Sequence, residues 1–384
     1  MKDNSKWEQF KNLSFVGGPE IIGNGITAIF WFFLASQLSV EEFGELHYFI
    51  AIAGFTFIGT LIGTQNTITV LTAKGIRIEG TLFTISLVTV GIGSMFVLLL
   101  TQRIDSSMLV LAYAINDLSI AYMLGKKFFS TYGKNIFLQK VLTCILGITF
   151  FYLFGAEGII FAIILSYGHF SFYIFKILRK SSFNFNLVRE NSKFILNNWF
   201  LNLIGMSRSH LDKIILVPYL GLTVMGNYSL ALQFWAILII FSNILFKYFL
   251  TYDASGVQNN RIKSFAVIIS IITAAIGIIV LPMIIPVFFE KFMEVTIAIQ
   301  IMSIGTIPVM IDKIFVSELV GQKKTKTVFI SRITNACTLI LGILILGPDY
   351  GLAGISVAFV LSFVFQVMVI FLIDYRHKLG NKIN

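Results

Sequence analysis

Apolar residues fall along this chain in long blocks rather than in alternation. Runs such as LFTISLVTVGIGSMFVLLL, residues 82–100, are apolar on every face. Most blocks extend for roughly 18 to 25 residues, the length that a helix rising about 1.5 Å per residue needs to cross ~30 Å of hydrocarbon. A transmembrane barrel would show dyad alternation in segments of about ten residues instead. The pattern predicts an all-α integral membrane protein with twelve spans, near 15–37, 44–73, 80–100, 107–125, 136–154, 157–178, 194–218, 224–248, 264–289, 294–318, 327–347 and 351–373. The first 14 residues, MKDNSKWEQFKNLS, lack the apolar core and small-residue site of a cleavable signal, so the first span is expected to stay in the mature protein.

Composition agrees with the pattern: 57% of the 384 residues are hydrophobic and 12% charged, with a mean hydropathy of +0.86. Charge adds the orientation, because basic residues resist translocation. The amino end, every second loop and the carboxyl end hold 22 of the 29 basic residues, whereas the opposite loops hold two, Arg103 and Lys291. Both termini are therefore expected in the cytoplasm. The net charge of +10 reflects this asymmetry plus an interior set, and gives no support for nucleic-acid binding. Cys144 and Cys337 lie inside spans, where free cysteine behaves as a small apolar residue.

The chain also repeats itself. At an offset of 182, residues 11–44 lie over 193–226, matching Lys11 to Lys193, Gly23 to Gly205, Leu34 to Leu216, Leu38 to Leu220 and Gly44 to Gly226. Near the end of each half, GAEGIIFAIILS from Gly155 and GLAGISVAFVLS from Gly351 match at an offset of 196. Duplication predicts two lobes of six helices each, 1–180 and 181–384, related by a pseudo-twofold axis along the membrane normal, the plan of a transporter that rocks about a central cleft.

Candidate cleft residues follow from helical spacing. On the seventh span Asn198, Asn202, Gly205, Ser209, Asp212 and Lys213 fall within a stripe about 100° wide, with Arg208 beside it. On the first span Glu20, Asn24, Thr27 and Trp31 follow the same spacing. Five cations lie inside spans: Lys140, Arg208, Lys213, Lys313 and Arg332. An intramembrane charge costs several kcal/mol unless paired or hydrated, so each is either a paired or snorkelling residue or a functional one. Arg208 and Asp212 have the spacing to pair, and Lys313 has Asp312 and Glu318 on its own span. An excess of guanidinium and ammonium groups in a wet cleft suits an anion, and bidentate arginine suits phosphate, a diphosphate above all. The candidate diphosphate and sugar ligands are thus Arg208, Lys213, Lys140, Lys313, Arg332, Asn202 and Ser209. Glu20, Asp117 and Asp212 are the candidate coupling carboxylates for H⁺ or Na⁺. His47 and His169 read as packed or interfacial. Catalytic motifs, metal-ligand spacings and phosphate loops are absent from the sequence, and no cofactor is expected.

The stretch LASQLSVEEFGELHYFIAIAGFTFIGTLIGTQNTITV and its later counterpart LDKIILVPYLGLTVMGNYSLALQFWAIL resemble the multidrug/oligosaccharidyl-lipid/polysaccharide exporter (MOP) superfamily, above all the Wzx-type O-antigen flippases. The later copy carries MGNYSLA, residues 225–231, and the earlier FGELHYF, with Tyr48 displaced by two residues. The resemblance implies a MATE-like fold and a multi-pass protein of the bacterial inner membrane. Its expected substrate is an undecaprenyl-diphosphate-linked oligosaccharide, moved from the cytoplasmic to the periplasmic leaflet by alternating access. Polysaccharide polymerase and a chain-length regulator are the expected protein partners. Arg208 and Lys213 stand where that family places polar residues of the seventh span. Two other readings stay open: a MATE-type cation or drug antiporter, which should favour interior carboxylates, and a membrane polysaccharide-processing enzyme, a polymerase or acyltransferase, which needs a larger outer loop.

Overall fold

The computed structural model describes the backbone of residues 2–180, 183–254, 260–322 and 324–383, with side chains except at 2–14, 16, 180, 206–208, 247, 251, 254 and 374–383. Helix is the only regular structure among the described residues, as hydrocarbon demands of an open chain whose peptide groups must find partners within each segment. In order the helices are α1 (Lys2–Gln37), α2 (Val40–Thr60), α3 (Gln65–Ala73), α4 (Glu79–Thr101), α5 (Ile104–Gly125), α6 (Phe129–Phe154), α7 (Gly158–Tyr167), α8 (Ser171–Lys180), α9 (Phe185–Glu190), α10 (Ser192–Leu238), α11 (Ile240–Ala254), α12 (Asn260–Ile279), α13 (Leu281–Phe288), α14 (Val295–Ile304), α15 (Thr306–Gly321) and α16 (Thr325–Ile383).

Among the described residues eight helices are long and apolar enough to cross a membrane, or nine when α2 and α3, bent by 42° at their break, count as one span. The difference from the twelve predicted has a physical cause: some successive spans are joined with no polar loop between them. Phe129–Arg179 runs for 51 residues and Thr325–Ile373 for 49, about twice one crossing. Each doubles back at a glycine, Gly155 (φ 68°, ψ −154°) and Gly351 (φ 55°, ψ −135°), a conformation that side chains disfavour. A third reversal sits at Gly221 (φ 83°, ψ 175°) inside α10. Hydrogen bonds close each reversal. Thr143 donates to Ser166 (2.8 Å), Asn335 to Ser362 (3.1 Å), and Tyr228 to Asp212 (2.9 Å).

The first two reversals repeat in detail. Gly158 packs its α-carbon against the Phe150 carbonyl and the Phe154 side chain, and Gly354 does the same against Leu346 and Tyr350, each pair related by the 196-residue offset. The sequence repeat is thus a repeat of backbone conformation and of helix packing.

The chain divides into two compact units, Met1–Leu34 with Tyr48–Leu211, and Ala35–His47 with Asp212–Asn384. In the first, Ile120, Met123, Tyr132, Ile136 and Phe170 form a buried apolar cluster, and a Glu79–Lys126 ion pair (2.9 Å) ties the start of α4 to the end of α5. In the second, Trp235 meets Phe359 edge-on (5.0 Å) and stacks on Phe363 (5.9 Å). Lys263 at the start of α12 bonds Asp253 (2.8 Å) and Glu318 near the end of α15 (2.9 Å).

The second unit also holds a reciprocal contact between repeat-related residues. A Cβ on Gly44 would strike the Leu222 carbonyl oxygen, and a Cβ on Gly226 would strike that of Val40. Both pairs follow the 182-residue offset, as does the bond from Thr223 Oγ1 to Glu41 (3.1 Å). Small residues let helix backbones approach in this way where packing rather than the hydrophobic effect drives association.

Candidate functional site

In the second unit, Asp312 on α15 is 3% exposed and forms the centre of a polar group. Arg332 Nη1 from α16 lies 3.1 Å from its Oδ2. Gln366, from the returning arm of α16 and 0% exposed, donates Nε2 to Oδ1 at 2.5 Å, while its own Oε1 is buried with no partner. Lys313 follows Asp312 in sequence yet projects elsewhere, because adjacent helical residues are about 100° apart. Its Nζ donates to Asn243 Oδ1 (2.7 Å) and sits 5.3 Å from the Phe246 ring. Of the two same-span carboxylates that the sequence left open as partners of Lys313, neither hydrogen-bonds it: its hydrogen-bond partner is a neutral amide, and Glu318 bonds Lys263. Two cations stand against one carboxylate here.

Asp212 is likewise buried. It accepts the Tyr228 hydroxyl, the Lys213 backbone N–H (2.8 Å) and, at 3.5 Å, Lys213 Nζ. A carboxylate so fully engaged is held in place by its own unit. The Arg208 side chain, and with it the expected Arg208–Asp212 pair, lies outside the described residues. His47 and His169 each place Nδ1 against a carbonyl one turn back, Phe43 (2.9 Å) and Ser166 (3.0 Å), in keeping with packed rings.

In the first unit Glu20 and Lys140 come together across α1 and α6. Tyr132 donates to Glu20 Oε1 at 2.5 Å. The Lys140 stem crosses Gly23, where a Cβ would lie 2.8 Å from its Cγ, and the Glu20 charge acts on the ammonium. Asn202 is half-buried and Ser209 exposed, both on α10.

Asp117, on α5, lies apart from these, near Gln65 at the start of α3 and so beside the α2/α3 break. Such a break inside a span is tolerated when other groups take up the freed peptide units. Here Gly63 N–H donates to Ser86 (2.9 Å), while Thr89 donates to the Thr60 carbonyl (2.7 Å) and Trp199 Nε1 to that of Gly59 (3.1 Å).

The structure thus gathers Lys313 with Arg332, Asp212 with Lys213, and Glu20 with Lys140. Sequence reasoning missed Tyr132, Asn243 and Gln366, and gave Asp312 no role beyond that of a partner. One signal was present: Gln366 lies one turn beyond Ser362, a residue in register with the repeat, and so on the same helix face.

No protein-family model matches this chain, and no curated protein matches it in sequence. Its fold is similar to that of solved transporters. An inward-facing multidrug resistance MATE family transporter of the MOP superfamily superposes with a TM-score of 0.70 at 14% identity, covering 97% of this chain and 99% of that one. The lipid II flippase MurJ, in an inward closed conformation, gives 0.71 at 15% identity over 93% of this chain and 86% of its own. A MOP superfamily transporter from Pyrococcus furiosus, noted for a binding pocket of reverse polarity that suggests a different function, gives 0.61 at 16% identity over 96% and 95%. At these identities the likeness is one of fold: this is a multi-pass membrane protein, helical throughout its described residues, whose solved structural neighbours include MOP transporters.

Proposed function

We propose that this chain is a flippase that moves an undecaprenyl-diphosphate-linked oligosaccharide, an O-antigen or related repeat unit, from the cytoplasmic to the periplasmic leaflet of the bacterial inner membrane. The observation that carries the reading is the cationic excess around Asp312. Lys313 rests on a neutral amide and Arg332 is 41% exposed at its side chain, so positive charge remains for an anion after internal pairing. A cation antiporter has the opposite need. Lys140, Arg208, Lys213, Asn202 and Ser209 are carried forward from the sequence as further candidate ligands of the diphosphate and sugar. Twelve spans, as two six-helix halves 1–180 and 181–384 with cytoplasmic termini, form the working architecture; the reversals at Gly155, Gly221 and Gly351 support that count. Glu20, Asp117 and Asp212 remain the candidates for H⁺ or Na⁺ coupling, and a polymerase and chain-length regulator the candidate partners.

The test is transport in reconstituted vesicles of a fluorescent short-chain prenyl-diphosphate disaccharide, beside efflux of a cationic dye. Wild-type protein is expected to move the diphosphate, and Lys313→Ala to slow it at least tenfold while still inserting. Dye efflux without movement of the diphosphate overturns the reading.

A further inference from the structure

We infer that Arg332 is a shared guanidinium: when an anionic ligand takes it from Asp312, Asp312 takes up a proton, so that anion binding and protonation of Asp312 favour each other. The inference rests on the diphosphate reading and assigns to that site a residue beyond the substrate ligands.

The two partners of the ion pair differ in access. Asp312 keeps 4% of its side chain exposed and Arg332 41%, so an arriving anion can reach the cation and not the carboxylate. The charged and polar groups that act on Asp312, by contact or through their charge alone, are few. Arg332 comes from the first arm of α16, neutral Gln366 from the second, and Lys313 from α15 itself. Lys313 is held by Asn243 of α11 and cannot replace Arg332 without giving up that bond. When Arg332 turns to a phosphate, a buried carboxylate is left with one amide donor. Leaving a buried carboxylate without its cation is unfavourable, and the group relieves it by becoming neutral.

Gln366 suits both forms of the carboxyl. Its Nε2 donates to the carboxylate, and its Oε1 is a buried acceptor without a donor. Turning the amide over presents Oε1 to Asp312, where an acid O–H donates to it. The proton comes from water through the opening that Arg332 vacates, and returns to water when the anion leaves and the ion pair reforms; no covalent bond to carbon changes. The loaded protein then carries one positive charge more than the empty one, which offsets one charge of the diphosphate. Among the described residues the first half does not repeat this arrangement. Lys140, 192 residues before Arg332, lies near Glu20 of a different helix, which Tyr132 already bonds.

The experiment is calorimetric titration of the full chain in nanodiscs with farnesyl diphosphate between pH 7.5 and 8.5, where the probe's phosphates are already ionised. Uptake of one proton makes wild-type Kd weaken about tenfold over that unit. Asp312→Asn should bind with no pH slope and at least tenfold tighter than wild type at pH 8.5, its Arg332 being released. Arg332→Gln, which keeps the test open should Asp312→Asn fail to fold, should bind at least tenfold more weakly and also without slope. A wild-type Kd independent of pH, or a slope that survives in Asp312→Asn, overturns the shared guanidinium and leaves the flippase reading standing. Absence of farnesyl diphosphate binding to wild type at every pH overturns both.

Discussion

Gly44 and Gly226 act through what they lack. Each lets the backbone of its repeat partner's neighbourhood approach to a distance that a methyl group would block. Overpacking of such a contact costs about 1–3 kcal/mol. Gly44→Ala and Gly226→Ala are each expected to lower the thermal unfolding temperature in detergent, and the double variant to lower it by less than the sum, because both act on one contact. An additive result would show the two glycines to be independent. The equivalence of the two residues was legible in the sequence, since both stand in register. Their meeting was not: register says which positions correspond, and nothing about which surfaces touch. The same limit applies to Arg332 and Asp312, which come from different helices, and to Tyr132 and Glu20, whose separation in sequence hides a direct bond.

Helices in this protein end where conformation or hydrogen bonding requires it, more than where polarity does. Gly155 and Gly351 adopt positive φ with strongly negative ψ, so alanine at either position is expected to cost about 1–3 kcal/mol. Thermal unfolding of Gly351→Ala beside an alanine substitution at Gly342, which lies within regular helix but against Ala358, separates backbone strain from crowding: positive-φ strain predicts that trimming Ala358 to glycine rescues the second variant alone. Hydropathy located most spans, since long apolar runs have few other uses. It merged α2 with α3, because the break at 61–64 contains no charge. The polar groups that satisfy it, Ser86, Thr89 and Trp199, come from α4 and α10, far along the chain.

For the molecule as a whole, the basic loops give a direct check on orientation. With Cys144 and Cys337 replaced by serine, single cysteines at Arg103 or Lys291 are expected to react with a membrane-impermeant maleimide in cells with a permeabilised outer membrane. Cysteines at Lys74 or Lys324 should react only after the inner membrane is opened. Reversal of that pattern would invert the proposed topology.

A polypeptide containing two similar sets of helices risks joining members of different sets while it folds. The ion pairs at α4/α5 and α12/α15 would disfavour that error, for they have opposite polarity: Glu79 with Lys126 in one set, Lys263 with Glu318 in the other. A hybrid pairing would press Glu79 against Glu318, or Lys263 against Lys126, at sites where Glu79 and Lys263 are largely shielded from water. Opposite charge at otherwise similar helix ends would thus favour each helix's own partner over its counterpart.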